Sequence, residues 1–196
     1  MKIGREHFDY RDLEEKTFEK FCWLIAGKLS LNYGVGVEQA VLAKNITGDF
    51  NGKKIILRSD IPWEMKLFIL LHLFGHTVQF NTSAALRKIG MKRWRPEEIN
   101  GQSLKTIRAY ERAAGRYGLW LLRDCGINYL DQWASDWSNG DLDYLVMLYT
   151  TGAKYELTGK FLRRYKKQYI KFGSPLIKPL RVPKFIPKKW PSRFSF

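Results

Sequence analysis

Apolar residues recur along most of this chain at helical spacing. Phe18, Phe21, Cys22, Ile25 and Leu29 step by three and four, which marks one face of a 3.6-residue period. They predict a first helix over Asp12 to Leu29, with Asp12, Glu14 and Glu15 at its start, where the helix dipole favours acids. Asn32-Tyr33-Gly34-Val35-Gly36 breaks it, and Val35 to Leu42 fits strand and helix equally well. Asn51-Gly52, between Ile46–Phe50 and Lys53–Arg58, is a type I′ hairpin signal, so a small sheet is expected there. Then comes Lys66 to Phe80, KLFILLHLFGHTVQF. This stretch is apolar almost all round and predicts a helix buried on most sides. That helix should start at Pro62 or Trp63, with Ser59, Asp60 and Pro62 supplying cap and first-turn chemistry.

Asn81 to Asn100 is a basic connection in which part of Ser83 to Ile89 can be helical. Ser103 can cap a long helix that runs to about Asp124 and stops at Gly126. Along it Leu104, Ile107, Glu111, Ala114, Gly118 and Leu121 form one stripe. Two shorter helices follow, Tyr129 to Trp137 and Asp141 to Thr151, and then an amphipathic one, Tyr155 to Ile170. After Gly173 the periodicity stops. Pro175, Pro179, Pro183, Pro187 and Pro191 recur every four residues, which forbids helix and central strand and leaves an extended segment. The fold class is therefore α+β, mostly helical with a small sheet. The division is a folded part over 1–172 and an extended basic, proline-rich tail over 173–196.

Charge changes this picture at one end only. The net charge is +15, and from Lys154 onward thirteen Lys and Arg face Glu156 alone. The cationic character thus belongs to the C-terminal end. Lys160, Arg163, Arg164, Lys167, Lys171, Lys178, Arg181, Lys184, Lys188, Lys189 and Arg193, with Trp190 among them, are candidates for gripping nucleic acid or a protein partner. Cations interleaved with aromatics suit phosphate neutralisation with base stacking, and a solvated basic face is the plainer account of the same residues. The apolar content of the tail also suits an arm laid along a partner or along this protein's own surface.

Several classes are excluded. The charged N-terminal stretch has no apolar signal core, and the run Leu67 to Leu71 is far shorter than a membrane span. A cytoplasmic location is the expectation. Cys22 and Cys125 read as small buried side chains. No phosphate loop, dinucleotide fingerprint, CxxC pair or GxSxG is present. Asp131, Asp136, Asp141 and Asp143 lack calcium-loop spacing, and caps and solvated turns explain them.

Candidate chemistry lies in the apolar helix. His72 and His76 are four residues apart, so their rings stand one above the other on one helix face. Two imidazoles so placed can share a metal ion. Histidines at this spacing also occur as plain core or surface residues, but a buried imidazole needs a polar partner or a metal. Gly75 between them lowers helix stability by about 1 kcal/mol relative to alanine, so close backbone approach is expected there. Ala114, Gly115 and Gly118 would permit it from the later helix. Glu111, a carboxylate in an otherwise apolar stripe, also needs a partner.

With these residues the chain resembles the ImmA/IrrE family of zinc metallopeptidases. That family joins a small mixed sheet to a helix bearing HExxH, usually HELGH, and a second helix beginning ExxAxxFAxxLL. Here the first motif reads His72-Leu73-Phe74-Gly75-His76. The second runs from Glu111 through Ala114, Tyr117 and Gly118 to Leu121-Leu122. The resemblance covers roughly 35–122 and implies a zincin-like fold in which His72, His76 and Glu111 hold zinc together with a water. In the family this centre cleaves repressor proteins. Leu73 stands where the family's glutamate takes the proton from that water, and leucine can take none. General acid–base groups are worth about 10²–10⁴-fold. The expectation is a metallopeptidase-like pseudoenzyme that keeps its metal and binds a protein partner. The alternatives are an active peptidase with an unconventional base, and a nucleic-acid- or assembly-binding protein that acts through its tail.

Overall fold

The computed structural model describes residues 9–43, 46–153, 161–164, 166 and 177–190. Its main helices are α1 (Glu15–Lys28), α2 (Trp63–Thr82), α3 (Ala84–Met91), α4 (Gly101–Asp124) and α5 (Asp131–Thr151). The strands β1 (Gly36–Ala40), β2 (Gly48–Phe50) and β3 (Lys54–Arg58) form one sheet of order β1-β3-β2. β1 runs parallel to β3 and β2 antiparallel to it. The architecture is mostly helical with a small mixed sheet, as an α+β reading requires. Lys160, Lys167, Lys171 and Arg193, and most of the helix expected over 155–170, lie outside the described residues.

Everything is built around α2. Each residue from Lys66 to Phe80 is buried, because α1, α4, α5 and the sheet all pack on it. Lys66 is tolerated there since its ammonium bonds the Ser59 carbonyl at 2.8 Å and sits over the Trp63 ring. The expected cap at Ser59 and Asp60 does not form. Asp60 pairs with Arg58 instead, and the N-cap residue Pro62 has no side chain to offer. The Glu15 carboxylate of α1 accepts from the Trp63 N–H at 2.6 Å and takes the place of a local cap.

α2 and α4 cross with their backbones almost touching. A Cβ on Gly75 would land on the Ala114 carbonyl, and one on Gly118 would lie 2.7 Å from the Leu71 carbonyl. The small residues of the two helices therefore face each other, as their positions predict. Gly115 points the other way, against Ser138 of α5. The α4 stripe is realised, with Ile107, Glu111, Ala114, Gly118 and Leu121 all buried.

Four local readings change. Within 35–42 the chain resolves as a strand, β1, over Gly36–Ala40. The β2–β3 turn has a positive φ at Gly52 alone, and Asn51 N–H bonds the Lys54 carbonyl at 3.0 Å. This is a two-residue turn with glycine first, the II′ pattern rather than I′. α5 is one continuous helix where two were expected. Gly140 at its middle does not break it, because it gives room to the segment 161–164: a Cβ there would be 3.1 Å from Leu162 Cα. Asn100, not Ser103, is the N-cap of α4, and Ser103 completes the capping box from the third helical position.

Residues 177–190 contain neither helix nor strand and lie along the protein's own surface. Ile177 and Val182 are buried, Phe185 stacks on Tyr33, and the Arg87 guanidinium covers the Trp190 ring. The Leu180 N–H bonds the Arg116 carbonyl and the Arg116 Nε–H returns a bond to the Lys178 carbonyl. Asn81 Oδ1 accepts from the Lys188 N–H at 2.7 Å, and the Asn51 carbonyl accepts from the Trp190 N–H at 2.7 Å.

The α2–α4 crossing can be tested with two alanines. Gly75→Ala is expected to cost about 2 kcal/mol or more, because backbone rather than a yielding side chain blocks the new methyl. Gly27→Ala, on the open face of α1 with nothing within 4 Å, should instead stabilise by about 0.5–1 kcal/mol. Urea denaturation of the two variants beside wild type decides the point.

Candidate metal centre

α2 carries His72 and His76 on one face, and the close crossing brings α4 over that face at Glu111. His72 Nε2 and His76 Nε2 are 2.8 Å apart, and Glu111 Oε2 lies 3.3 Å from the first and 3.2 Å from the second. For donors about 2.0–2.1 Å from a tetrahedral zinc, neighbouring donors are about 3.3 Å apart. The triangle is thus close to the size that such an ion requires. The three residues are 3%, 0% and 4% exposed, so solvent cannot relieve whatever charge they hold.

The partners of the rings show which atoms carry protons. The Gln79 amide donates from Nε2 to the Tyr110 carbonyl at 2.8 Å, so its Oε1 is left as an acceptor. That oxygen is 2.8 Å from His76 Nδ1, which must therefore be the donor. His72 Nδ1 faces Asp141 Oδ2 at 3.5 Å, and a carboxylate draws the proton of a neutral imidazole to that nitrogen. Both Nε2 atoms then present lone pairs. They point at each other and at Glu111 Oε2, an atom without a hydrogen-bond partner. Three acceptors facing one another in a buried site call for a shared proton or a metal ion. The donor set, two imidazoles and a carboxylate, with Gln79 hydrogen-bonded to one ring and Asp141 Oδ2 3.5 Å from the other, is the kind that zinc takes.

Electrostatics follow from burial and from these neighbours. Burial pushes the Glu111 carboxyl up, and only a proton held on the His76 or His72 ring, charging it and donating to Glu111, draws the carboxyl down. Burial pushes Asp141 up to about 7, with Glu111 adding to the rise and His72 opposing it. Aromatic rings close the site. His76 is held between Tyr110, at 4.9 Å, and Phe50 of β2, at 6.1 Å, while Phe68 flanks His72. Leu73 is fully buried and turns toward β2, where its Cδ1 lies near Gly48.

No family model, no curated protein and no solved structure matches this chain. The geometry of the site must speak for itself.

The structure brings together all three predicted metal ligands, His72, His76 and Glu111. It brings none of the described tail candidates to them. Arg163 and Arg164 are exposed on a short helical stretch, with Arg164 3.6 Å from Asp143. Lys178, Arg181, Lys184, Lys188 and Lys189 are exposed and Trp190 is half-buried on Arg87. Two residues of the centre escape a reading by motif. Gln79 is signalled by its place three residues after His76, one helical turn on. Asp141 has no local signal, because only the packing of α5 brings it to His72.

A second buried polar cluster is separate from the centre. Asp136 accepts from the Tyr10 hydroxyl at 2.7 Å and from Gln132 Nε2 at 2.7 Å. Nearby, Glu64 accepts from the indoles of Trp133 and Trp137 and pairs with Lys166. Both tryptophans are core residues. Burial raises Asp136 to about 6, against the lowering effect of Tyr10 and Gln132. An unfolded aspartate titrates near 3.9, so between about pH 4 and 6 the folded state binds the extra proton. Stability should therefore fall as pH rises through that window. Urea titrations across it are expected to show a flatter slope for Asp136→Asn than for wild type.

Proposed function

We propose that this protein is a zincin-like, ImmA/IrrE-type pseudoenzyme: it holds zinc with His72, His76 and Glu111 and acts by binding a protein partner rather than by hydrolysis. The observation that carries the proposal is the convergence of two imidazole Nε2 atoms and a carboxylate oxygen within 2.8–3.3 Å in the core. Support for the family reading comes from the order of parts. A small sheet precedes the histidine helix, and a second helix delivers Glu111 across a glycine-lined crossing.

Zinc so held acts as a Lewis acid and lowers the pKa of a bound water. Hydrolysis also needs a side chain that takes the proton and passes it to the leaving amine. Leu73 cannot, and it is packed against the sheet. Asp141 faces Nδ1 of His72, the ring nitrogen away from the donor triangle. Glu111 is committed to the ion. Among the described residues no other carboxylate joins the centre, which favours the impaired reading over an active peptidase.

The tail fits the partner-binding half of the proposal. Its described aromatics are engaged at home, Phe185 on Tyr33 and Trp190 under Arg87, so they are not poised to stack on bases. Its cations Lys178, Arg181, Lys184, Lys188 and Lys189 face outward and offer an acidic partner a fixed basic surface. No helix among the described residues is long and apolar enough to cross a membrane.

The purified protein is expected to contain one equivalent of zinc by elemental analysis. His72→Ala and Glu111→Gln should lower the content at least tenfold, and a chelator should lower the melting temperature of wild type but not of His72→Ala. Wild type purified free of transition metal, and unable to take up zinc on titration, would falsify the proposal. A chelator-sensitive peptidase activity would overturn its pseudoenzyme half.

A further inference from the structure

The acids of α5 have ordinary partners, with one exception. Asp131 pairs with Arg123, Asp143 lies by Arg164, and Asp136 accepts from Tyr10 and Gln132. Asp141 is buried at mid-helix, its Oδ1 has no hydrogen-bond partner, and the one ion-pair neighbour found for it is His72 Nδ1, 3.5 Å from Oδ2. A carboxylate enclosed in this way is strongly unfavourable unless a cation balances it.

We infer that Asp141 is a positioning residue of the metal centre: it fixes His72 with its proton on Nδ1 and supplies the second negative charge that balances a divalent ion. This rests on the metal reading of the centre given above. A neutral imidazole has a single N–H. His72 has a carboxylate at each end, Glu111 by Nε2 at 3.3 Å and Asp141 by Nδ1. With the proton on the Asp141 side, the Nε2 lone pair is committed to the triangle. Gln79 does the same for His76 through a neutral amide, so orientation alone does not need a charge. Asp141 adds one. A dication with Glu111 and Asp141 is neutral as a unit, and a neutral unit avoids the desolvation cost of net charge in a site where every member is 4% exposed or less. The charge that HExxH-type centres place beside the first histidine, and that Leu73 removes, is thus restored behind its ring.

The test uses the full-length protein and titrates zinc, and separately cobalt(II), into the metal-free form. Asp141→Asn keeps an acceptor oxygen and the size but loses the charge, and Asp141→Ala loses both. Zinc affinity is expected to fall about 10–100-fold in both variants, as for other outer partners of metal-bound histidines, and more in the alanine variant. The cobalt d–d bands should shift in Asp141→Ala, because His72 is no longer held at one angle. Asp143→Asn, two residues along the same helix, should change neither readout. Wild type that binds with Asp141→Asn within twofold of it, and with an unmoved cobalt spectrum in Asp141→Ala, overturns the inference and leaves the metal reading standing. Wild type that takes up neither metal overturns both. Should the variants fail to fold, nitrogen resonances of His72 in zinc-loaded wild type decide. Nδ1 carrying the proton and Nε2 ligated is the expected result, and the reverse assignment overturns it.

Discussion

Lone pairs on three heavy atoms repel when they point at one another, and in a hydrocarbon core no water can step between them. The triangle of His72, His76 and Glu111 has this character. It persists only because the helices around it leave the side chains nowhere else to go. α2 is enclosed on all sides from Lys66 to Phe80, so both rings are confined to one face. α4 is drawn against that face by Gly75 and Gly118, where the two backbones meet without intervening Cβ atoms. Each glycine weakens its own helix by about 1 kcal/mol. That loss is offset only if close approach matters, and what the close approach delivers is Glu111.

Much of this was legible in the residues themselves. The four-residue spacing of the histidines, the carboxylate in an apolar stripe and the facing small residues are helical-period signals. Helical period survives into the folded state when tertiary packing uses the same faces. Signals that depended on two segments meeting were not legible. Glu15 of α1 caps α2, which no reading of 59–62 could show. The break expected between Trp137 and Asp141 does not occur, and Gly140 there is a seat for Leu162. Asp141 reads as a turn acid, and it reaches His72 only because α5 runs straight through that glycine. The turn at Gly52 fell one residue away from the expected type, because Asn51 uses its side-chain oxygen to accept from Lys53 and Lys54 rather than adopting a positive φ itself.

On the proposed family reading, Leu73 and the carboxylate at position 141 are best understood together. A glutamate beside the first histidine has two effects on a dication: it adds negative charge, and it offers a base on the ion's open side. Leucine removes both. Asp141 returns the charge but from behind the His72 ring, where no proton of a bound water can reach it directly. With a dication bound, a centre so arranged would be as well balanced electrostatically as a hydrolytic one and would lack its proton route. Affinity for a metal and catalytic competence are separable properties, and on the proposed reading they would separate at the level of which nitrogen a carboxylate faces.

On the proposed reading, occupancy of the centre ties three helices together: α2 through its histidines, α4 through Glu111, and α5 through Asp141. Binding free energy at such a site adds to folding free energy, because the unfolded chain has no preformed site. The same helices carry the outer surface. Arg116 of α4 exchanges hydrogen bonds with the described tail at Leu180 and Lys178, and Asn81 at the end of α2 holds it at Lys188. A change in how α2 and α4 cross would therefore move both anchors of the basic strip at once. A partner that reads the exposed cations of 177–190 would be reading, at one remove, whether the core is locked. On that reading a buried centre would matter at the surface without any substrate reaching it.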